Sequence, residues 1–147
     1  MKILVLNGPN LNLLGLREPG LYGSRTYAEL VELCVRAGAD AGARVEVRQS
    51  NHEGTLVDWI QEARGAFDAI VLNAAAYTHT SVAILDALKA VAMPVVEVHI
   101  TDPKTREPFR HVSYVGMVAC ATFAGFGFES YDKAIRFLAS RPAGRDV

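Results

Sequence analysis

Arg17 and Tyr22 lie close together in a segment rich in glycine, proline and asparagine, and together they could remove a proton from carbon. A tyrosine hydroxyl with its ordinary pKa of about 10 is a poor base, but a neighbouring guanidinium group favours the tyrosinate form. We therefore predict that Tyr22 is a general base and that Arg17 activates it. On these residues alone, the alternative that both side chains only pack over a ligand stays open.

Glu97 and His99 form a second pair suited to proton transfer, at the end of an apolar run that begins at Pro94. Alternate residues of a β-strand share a face, so both side chains would project to the same side. A carboxylate bonded to one imidazole nitrogen fixes the tautomer and stabilises the imidazolium form, as a general acid requires. The pair predicts a proton donor, although a strand-end histidine satisfied by backbone groups fits the pattern as well.

Further groups could bind an oxygen atom or an anion without a cationic side chain. Asn10 follows Gly-Pro and could orient a water molecule or present its amide to an enolate oxygen, or it could simply stabilise a turn. Asn73 ends the third apolar run. With the backbone N–H groups of Ile100 and Thr101 it would form a receptor for a carboxylate. A turn role is the alternative for Asn73 too.

Five short apolar runs would form the strands that position these residues. The runs show little alternation, which is typical of a parallel sheet covered on both faces. Helical patterns fill the gaps, and this order predicts an α/β fold: a doubly wound five-stranded parallel sheet in a three-layer sandwich, with the flavodoxin-like strand order 2-1-3-4-5. The predicted strands span residues 2–7, 44–49, 68–73, 94–99 and 119–124.

Apolar residues at helical spacing predict the helices. The first begins with a capping box formed by Thr26 and Glu29 and ends before Gly42. The apolar stripes of the successive helices contain Leu30, Leu33, Cys34 and Ala37; then Leu56, Trp59, Ile60 and Ala63; then Val82, Leu85, Leu88 and Ala92; and finally Tyr131, Ile135 and Leu138.

This topology would bring the polar residues together. In such a sheet, ligands bind at the carboxyl ends of the strands where the strand order reverses, here between strands one and three. The loops at residues 10–22, 73–81 and 99–110 would converge there. The first loop is longer than the about two to six residues usual in such units, so we expect it to act as an active-site lid.

Composition limits the class of protein. The 147 residues fit one domain, which we assign to residues 1–140, with residues 141–147 as a frayed tail. A net charge of −1 and a pI near 6.4 provide no electrostatic footprint for nucleic acid. Cys34 and Cys120 stand in no metal-binding or redox motif, no apolar stretch is long enough for a bilayer, and no signal-peptide pattern is seen. We expect a cytoplasmic protein without metal, disulfide or membrane contact.

Five ordered blocks of sequence carry a family resemblance. They are LNGPNLNLLGLREPGLYG at residues 6–23, RQSNHEG at 48–54, NAAAYTHTS at 73–81, EVH at 97–99 and REPFRHVSY at 106–114. In these blocks the chain resembles the type II 3-dehydroquinate dehydratases of the shikimate pathway, over nearly its whole length. The resemblance implies elimination of water next to a ketone, through an enolate, without a cofactor.

The resemblance also assigns roles to residues. It implies that Tyr22 is the base, that Arg17 is the essential arginine, that Asn10 orients the water molecule that stabilises the enolate, and that His99, supported by Glu97, protonates the departing hydroxyl.

The resemblance further implies that His79 and Arg110 contact the ring hydroxyls of the substrate. It implies that Asp86 reaches the site of a neighbouring subunit in a trimer, and that four trimers form a dodecamer. From its helical position alone, Asp86 would only face solvent.

One departure from the family pattern concerns the anion site. Thr101 and Asp102 stand where the family usually has Ser-Asn, which would place a carboxylate near the proposed receptor. Two alternatives to the biosynthetic reaction are a non-catalytic flavodoxin-like binding or signalling module and the same dehydration used in quinate catabolism. The first is disfavoured because Asn7 and Asn73 stand where a phosphoacceptor would be acidic, and because no phosphate-binding glycine motif follows a strand.

Overall fold

Five parallel strands form one sheet in the order β2-β1-β3-β4-β5 in the computed structural model, which describes residues 1–16, 20 and 24–142. The predicted strand order and the three-layer α/β architecture are therefore confirmed. The strands are β1 (Lys2–Asn7), β2 (Arg44–Gln49), β3 (Ala69–Asn73), β4 (Val95–His99) and β5 (Ala121–Ala124).

The central strands are buried on both faces, as their continuous apolar sequences require. Every residue of β3 and β4 is buried, and so is β1 after Lys2. The edge strand β2 differs from the prediction of an apolar run without alternation. Its first four residues alternate between exposed and half-buried, because Val45 and Val47 pack against the core while Arg44 and Glu46 lie on the opposite face.

Helices cover both faces of the sheet. Among the described residues they are α1 (Tyr27–Asp40), α2 (Glu53–Ala63), α3 (Val82–Val91) and α4 (Glu129–Ala139). Helices α1 and α4 pack together on one face, and α2 and α3 pack together on the other. None of the helices in the described part of the chain is long and apolar enough to span a membrane.

The first helix begins where the sequence predicts. Thr26 is its N-cap, and the Thr26 Oγ1 atom accepts a hydrogen bond from the Glu29 backbone N–H at 3.2 Å. The predicted stripe of α3 is partly wrong. Val82 is 49% exposed and Ala92 forms the left-handed C-cap, while Ile84, Ala87 and Val91 supply the buried face instead.

The cysteines differ in their surroundings. Cys34 is buried in the layer between α1 and the sheet, and burial raises the pKa of its thiol to about 12, so it is inert at neutral pH. Cys120 is half-buried, and its Sγ atom accepts a hydrogen bond from Arg141.

The functional end of the sheet is shaped by a close approach of two chain segments. Asn7 and Asn73 are register partners at the ends of β1 and β3. Gly8 follows Asn7, and a Cβ atom at this position would lie 2.4 Å from the carbonyl oxygen of Ala74. A larger residue would force the two loops apart. The absence of a side chain at Gly8 therefore allows the β1 and β3 loops to approach each other closely above the sheet.

Candidate active site

A cavity of about 170 Å³ opens at the carboxyl ends of β1, β3 and β4, where the strand order reverses. Backbone and side chains from three loops form its wall, as the topology predicts. The lining residues are Pro9, Asn10, Leu11, Asn73, Ala75, Ala76, His79, His99, Ile100, Thr101, Pro103, Arg106 and Arg110.

His99 and Glu97 form a buried hydrogen-bonded pair beside this cavity. The His99 Nε2 atom lies 2.7 Å from the Glu97 Oε2 atom, and the side chains are 10% and 5% exposed. A carboxylate can only accept, so Nε2 carries a proton and the tautomer of the ring is determined. The two side chains thus share one face of β4 and contact each other, as the sequence predicts.

Two hydroxyl groups also donate hydrogen bonds to Glu97, and the sequence analysis identified neither of them. Ser113 Oγ donates to Glu97 Oε2, and Thr122 Oγ1 donates to Glu97 Oε1 at 3.0 Å. Thr122 is the register partner of Glu97 on β5, so a correct pairing of β4 with β5 would have identified it. No local pattern marks Ser113, which lies in an irregular loop.

The charge state of Glu97 follows from these contacts. Burial would raise the pKa of this carboxyl, but hydrogen bonds and the charge of His99, with hydrogen bonds from Ser113 and Thr122, outweigh burial and lower the pKa below its usual range. Glu97 is therefore a carboxylate at neutral pH. An ionised Glu97 stabilises positive charge on His99, as a proton donor needs.

The lowered pKa of Glu97 has a consequence for stability. A carboxyl whose pKa is lower in the folded than in the unfolded state stabilises the fold above the unfolded pKa of about 4.3. This contribution is lost as the pH falls through the folded pKa. We expect Glu97→Gln to lose this acid-dependent part of the unfolding free energy, measured as the slope of denaturation midpoint against pH. An unchanged slope would contradict the assignment, and Glu32→Gln at an exposed position of α1 is the matched control.

Asn73 lies at the floor of the cavity and is 3% exposed. Its Oδ1 atom accepts from the backbone N–H of Ala75 at 3.1 Å, and its Nδ2 atom donates to the hydroxyl of Tyr131 at 2.8 Å. Tyr131 in turn donates to Asn7 Oδ1 at 2.7 Å. Asn73 therefore organises the turn after β3, and its side chain also lines the cavity.

Asn10 lies at the mouth of the cavity in a left-handed conformation with φ of 70°. Its side chain does not cap the short helical turn that follows. Its backbone N–H is held instead by Asn51 Oδ1 at 3.0 Å, and Asn51 is held by Gln49. The turn is thus stabilised through the backbone, which leaves the Asn10 amide group available to a ligand.

Basic and neutral groups dominate the remaining wall. His79 Nδ1 lies 2.7 Å from the carbonyl oxygen of Val112, which assigns the proton to Nδ1. Arg110 is held by Glu107 at 2.9 Å. Arg106 also lines the cavity, a position that the sequence did not reveal. Of the described residues in this wall, none is an aspartate or glutamate, so the cavity suits an anion.

The unusual Asp102 does not enter this wall. Its Oδ1 atom accepts a hydrogen bond from the Lys104 backbone N–H at 3.0 Å, and it caps a short helical turn. Asp102 lines a smaller adjoining cavity of about 60 Å³ behind His99. Thr101 alone faces the main cavity, beside Ile100, so the carboxylate at position 102 does not oppose an anion there.

Two of the predicted site residues belong to the part of the chain that the structure does not describe, and a third lies away from the cavity. Arg17 and Tyr22 lie outside the described residues. Asp86 is exposed on α3 and is absent from the described lining of the cavity, so it is not part of the site of its own chain. In residues 1–16 and 24–142, no three histidine, cysteine, aspartate or glutamate side chains form a group that could hold a metal ion.

The described groups suit a small anionic ligand with several hydroxyls. Guanidinium and amide groups can bind its charge, and the Glu97–His99 pair can donate a proton to an oxygen atom that leaves it. The described part of the chain contains no glycine-rich loop of the kind that binds the phosphates of a nucleotide.

Comparisons with known proteins agree with this chemistry. Residues 1–139 match the family model described as dehydroquinase class II. The chain is 54% identical to a 3-dehydroquinate dehydratase of Cereibacter sphaeroides, with 97% of each chain covered. A crystal structure of the type II dehydroquinase from Butyrivibrio crossotus superposes with a TM-score of 0.93 at 46% identity, covering 95% of this chain and 98% of that one. The type II dehydroquinase from Propionibacterium acnes superposes with a TM-score of 0.91 at 42% identity, covering 95% and 97%.

Proposed function

The chain belongs to the class II dehydroquinase family and is a hydro-lyase, and we propose that it converts 3-dehydroquinate to 3-dehydroshikimate by anti elimination through an enolate. The observation that carries the mechanism is the buried Glu97–His99 pair at the edge of an anion-binding cavity. The relatives described above are named as 3-dehydroquinate dehydratases or type II dehydroquinases. The residues around the cavity include a candidate for most steps of the reaction.

The first step removes a proton from the carbon next to the ketone. Tyr22, as tyrosinate, takes the proton, and the electrons of the C–H bond move to the ketone oxygen to form the enolate. Arg17 stabilises the tyrosinate before the transfer. Asn10 at the cavity mouth, directly or through a water molecule, donates a hydrogen bond to the enolate oxygen. The lid sequence and the family resemblance support the roles of Tyr22 and Arg17.

The second step expels the hydroxyl group. The enolate electrons reform the carbonyl and generate the new C=C bond, while the C–O bond breaks and the oxygen takes a proton from His99. The product water leaves. Relative to the start of the reaction, Tyr22 has then gained one proton and His99 has lost one. Glu97 supports this step because its charge stabilises the imidazolium form before the transfer.

Substrate binding uses the rest of the wall. Asn73 and the backbone N–H groups of Ile100 and Thr101 receive the substrate carboxylate at the end of the sheet. His79 and Arg110 contact the ring hydroxyls. Arg106 adds a positive charge to the same wall and, on this model, favours the anion over neutral analogues.

The activity is tested by the ultraviolet absorbance of purified protein mixed with 3-dehydroquinate. The product 3-dehydroshikimate is a conjugated enone, so absorbance should rise with time, and it should do so after exhaustive dialysis against a metal chelator. No rise, together with a visible spectrum of bound flavin, would favour the alternative of a flavodoxin-like binding or signalling module. The same rise in absorbance is expected whether the enzyme acts in biosynthesis or in quinate catabolism. A growth phenotype distinguishes these two pathways.

Assembly forms a separate part of the proposal. We propose a closed dodecamer of four trimers in which Asp86, exposed on α3 of one chain, completes the site of its neighbour. Its exposure and its absence from the described cavity lining of its own chain support a role that acts between chains.

The role of Asp86 predicts a kinetic effect from a surface substitution. An aspartate that only faces solvent should change the unfolding free energy by about 0.5 kcal/mol or less when replaced, and leave the kinetics unchanged. We expect Asp86→Ala instead to lower kcat/KM, whereas the matched control Asp58→Ala, an exposed aspartate of α2, should not.

Mixed oligomers make the same test more specific. Asp86→Ala subunits combined with inactive Tyr22→Phe subunits should deviate from the activity expected by simple dilution. A fully active monomer in sedimentation would contradict the shared site and leave the single-chain mechanism intact.

A further inference from the structure

A buried chain of hydrogen bonds lies beneath the cavity floor and ends at Asn73. It links Asn7 at the end of β1, Tyr131 on α4 and Asn73 at the end of β3. Tyr131 has no solvent exposure, and it is far from both asparagines in sequence. The helical pattern places this residue in an apolar stripe, and nothing in that pattern indicates a polar contact.

The backbone at the Asn73 end determines the direction of every bond in the chain. The Ala75 N–H can only donate, so the side-chain atom 3.1 Å from it is the Asn73 oxygen. The Asn73 nitrogen must then face Tyr131 and donate to its hydroxyl at 2.8 Å. The hydroxyl has one hydrogen, which it gives to Asn7 Oδ1 at 2.7 Å.

The hydrogen bonds of Asn7, at the opposite end of this hydrogen-bond chain, are consistent with that direction. With its oxygen turned to Tyr131, Asn7 directs its nitrogen to the carbonyl oxygen of Arg48, which can only accept, through a long bond of 3.5 Å. Burial raises the pKa of Tyr131 well above its ordinary value, so its hydroxyl keeps its proton and its place in the chain.

This direction leaves Asn73 with one N–H that has no partner among the described residues, on a side chain that lines the cavity. An N–H directed at a ligand favours an acceptor such as a carboxylate. A rotated amide would present its oxygen, which repels a carboxylate and suits a donor such as a carboxamide.

We propose that Tyr131 is a positioning residue for the anionic group of the ligand: it accepts a hydrogen bond from one Asn73 N–H and, together with the Ala75 backbone N–H, holds the amide so that the second Asn73 N–H is presented to the ligand. The inference rests on the proposed function, because it takes the carboxylate of 3-dehydroquinate as the group that Asn73 binds. Tyr131 does not touch the ligand; it acts through the orientation of Asn73.

Binding of two non-reacting ligands tests this role. Quinate carries the carboxylate and lacks the ketone, and its carboxamide replaces the carboxylate with a neutral group. We expect wild-type protein to prefer quinate in titration calorimetry. Tyr131→Phe should reduce that preference by about tenfold, because a hydrogen bond to a charged group is lost or misaligned. In turnover, KM for 3-dehydroquinate should rise more than kcat falls.

Ser130→Ala is the matched control. Ser130 is a buried hydroxyl on the same helix that accepts from the Phe126 N–H at 3.2 Å and has no bond to Asn73. Its loss should lower the melting temperature but keep the ligand preference. An equal preference in Tyr131→Phe and wild type, with only a lower melting temperature, would mean that the tyrosine serves stability alone.

A second variant covers the possibility that Tyr131→Phe does not fold. Asn7→Leu removes the acceptor of the tyrosine hydroxyl and leaves Tyr131 in place, so it should also weaken quinate more than the carboxamide. An unchanged preference in this variant, or failure of both variants to fold, overturns the proposal. The two hypotheses stay distinguishable: wild type that prefers quinate but does not convert 3-dehydroquinate contradicts the proposed function, and wild type without preference contradicts the role of Tyr131.

Discussion

Tyr22→Phe is expected to lower kcat by on the order of 10²-fold or more while substrate binding and the fold are retained. Phenylalanine keeps the ring and removes only the oxygen that takes the proton from carbon. The rate is measured from the growth of enone absorbance, and binding from titration with quinate. Retention of about a tenth of the wild-type rate would be too high for loss of the base and would contradict the assignment.

Two comparisons sharpen the Tyr22 prediction. Tyr114 is half-buried and absent from the described lining of both cavities near His99, so Tyr114→Phe should leave the rate unchanged. Arg17→Ala should reduce kcat in the same way as Tyr22→Phe, and Arg17→Lys should restore it only partly, because an ammonium lacks the planar fork of the guanidinium group. Full rescue by lysine would show that positive charge alone activates the tyrosine.

His99→Asn is expected to lower kcat by about 10²- to 10⁴-fold, because the variant can form hydrogen bonds but cannot donate a proton as an acid. His52→Asn is the control, since His52 is exposed at the start of α2 and its side chain makes no capping hydrogen bond. A substrate whose leaving group needs no proton should recover much of the lost rate in His99→Asn. Equal losses with both substrates would contradict the role of general acid.

Glu97→Gln provides a graded version of the same prediction. The substitution keeps a hydrogen-bonding group of similar size beside His99 and removes the charge that stabilises the imidazolium form. We expect kcat to fall, but by less than in His99→Asn, because the ring keeps a hydrogen-bonding partner and can still donate a proton. An unchanged kcat would indicate that Glu97 only orients the ring.

The order of strands and helices could be predicted from the sequence because it depends on local patterns. The apolar runs of β1, β3 and β4 and the stripes of α1 and α4 are buried as expected, since a strand or helix that buries one face shows its period within a few residues. The contact between Glu97 and His99 could also be predicted from a local pattern. Both residues lie on one strand, so their common face follows from the period of that strand.

The groups that support the site were decided by tertiary structure. Ser113 and Thr122 reach Glu97 from 16 and 25 residues away, and their contacts depend on the pairing of β4 with β5 and on an irregular loop. Tyr131 reaches Asn7 across 124 residues, by way of the packing of α4 on the sheet. In a helical pattern a tyrosine of this kind is indistinguishable from an apolar core residue, because the pattern records burial and not the partner of a hydroxyl.

The same distinction applies to the loops around the cavity. Their convergence follows from the strand order, which the sequence determined, but the direction of each side chain does not. Arg106 enters the cavity wall and Asp102 turns away to cap Lys104, although they are close in sequence and both are charged. The Asn10 side chain makes no hydrogen bond with any described residue, because its turn is held through its backbone by Asn51. Short irregular loops have no repeating period, so the orientation of their side chains is set by contacts with residues distant in the chain.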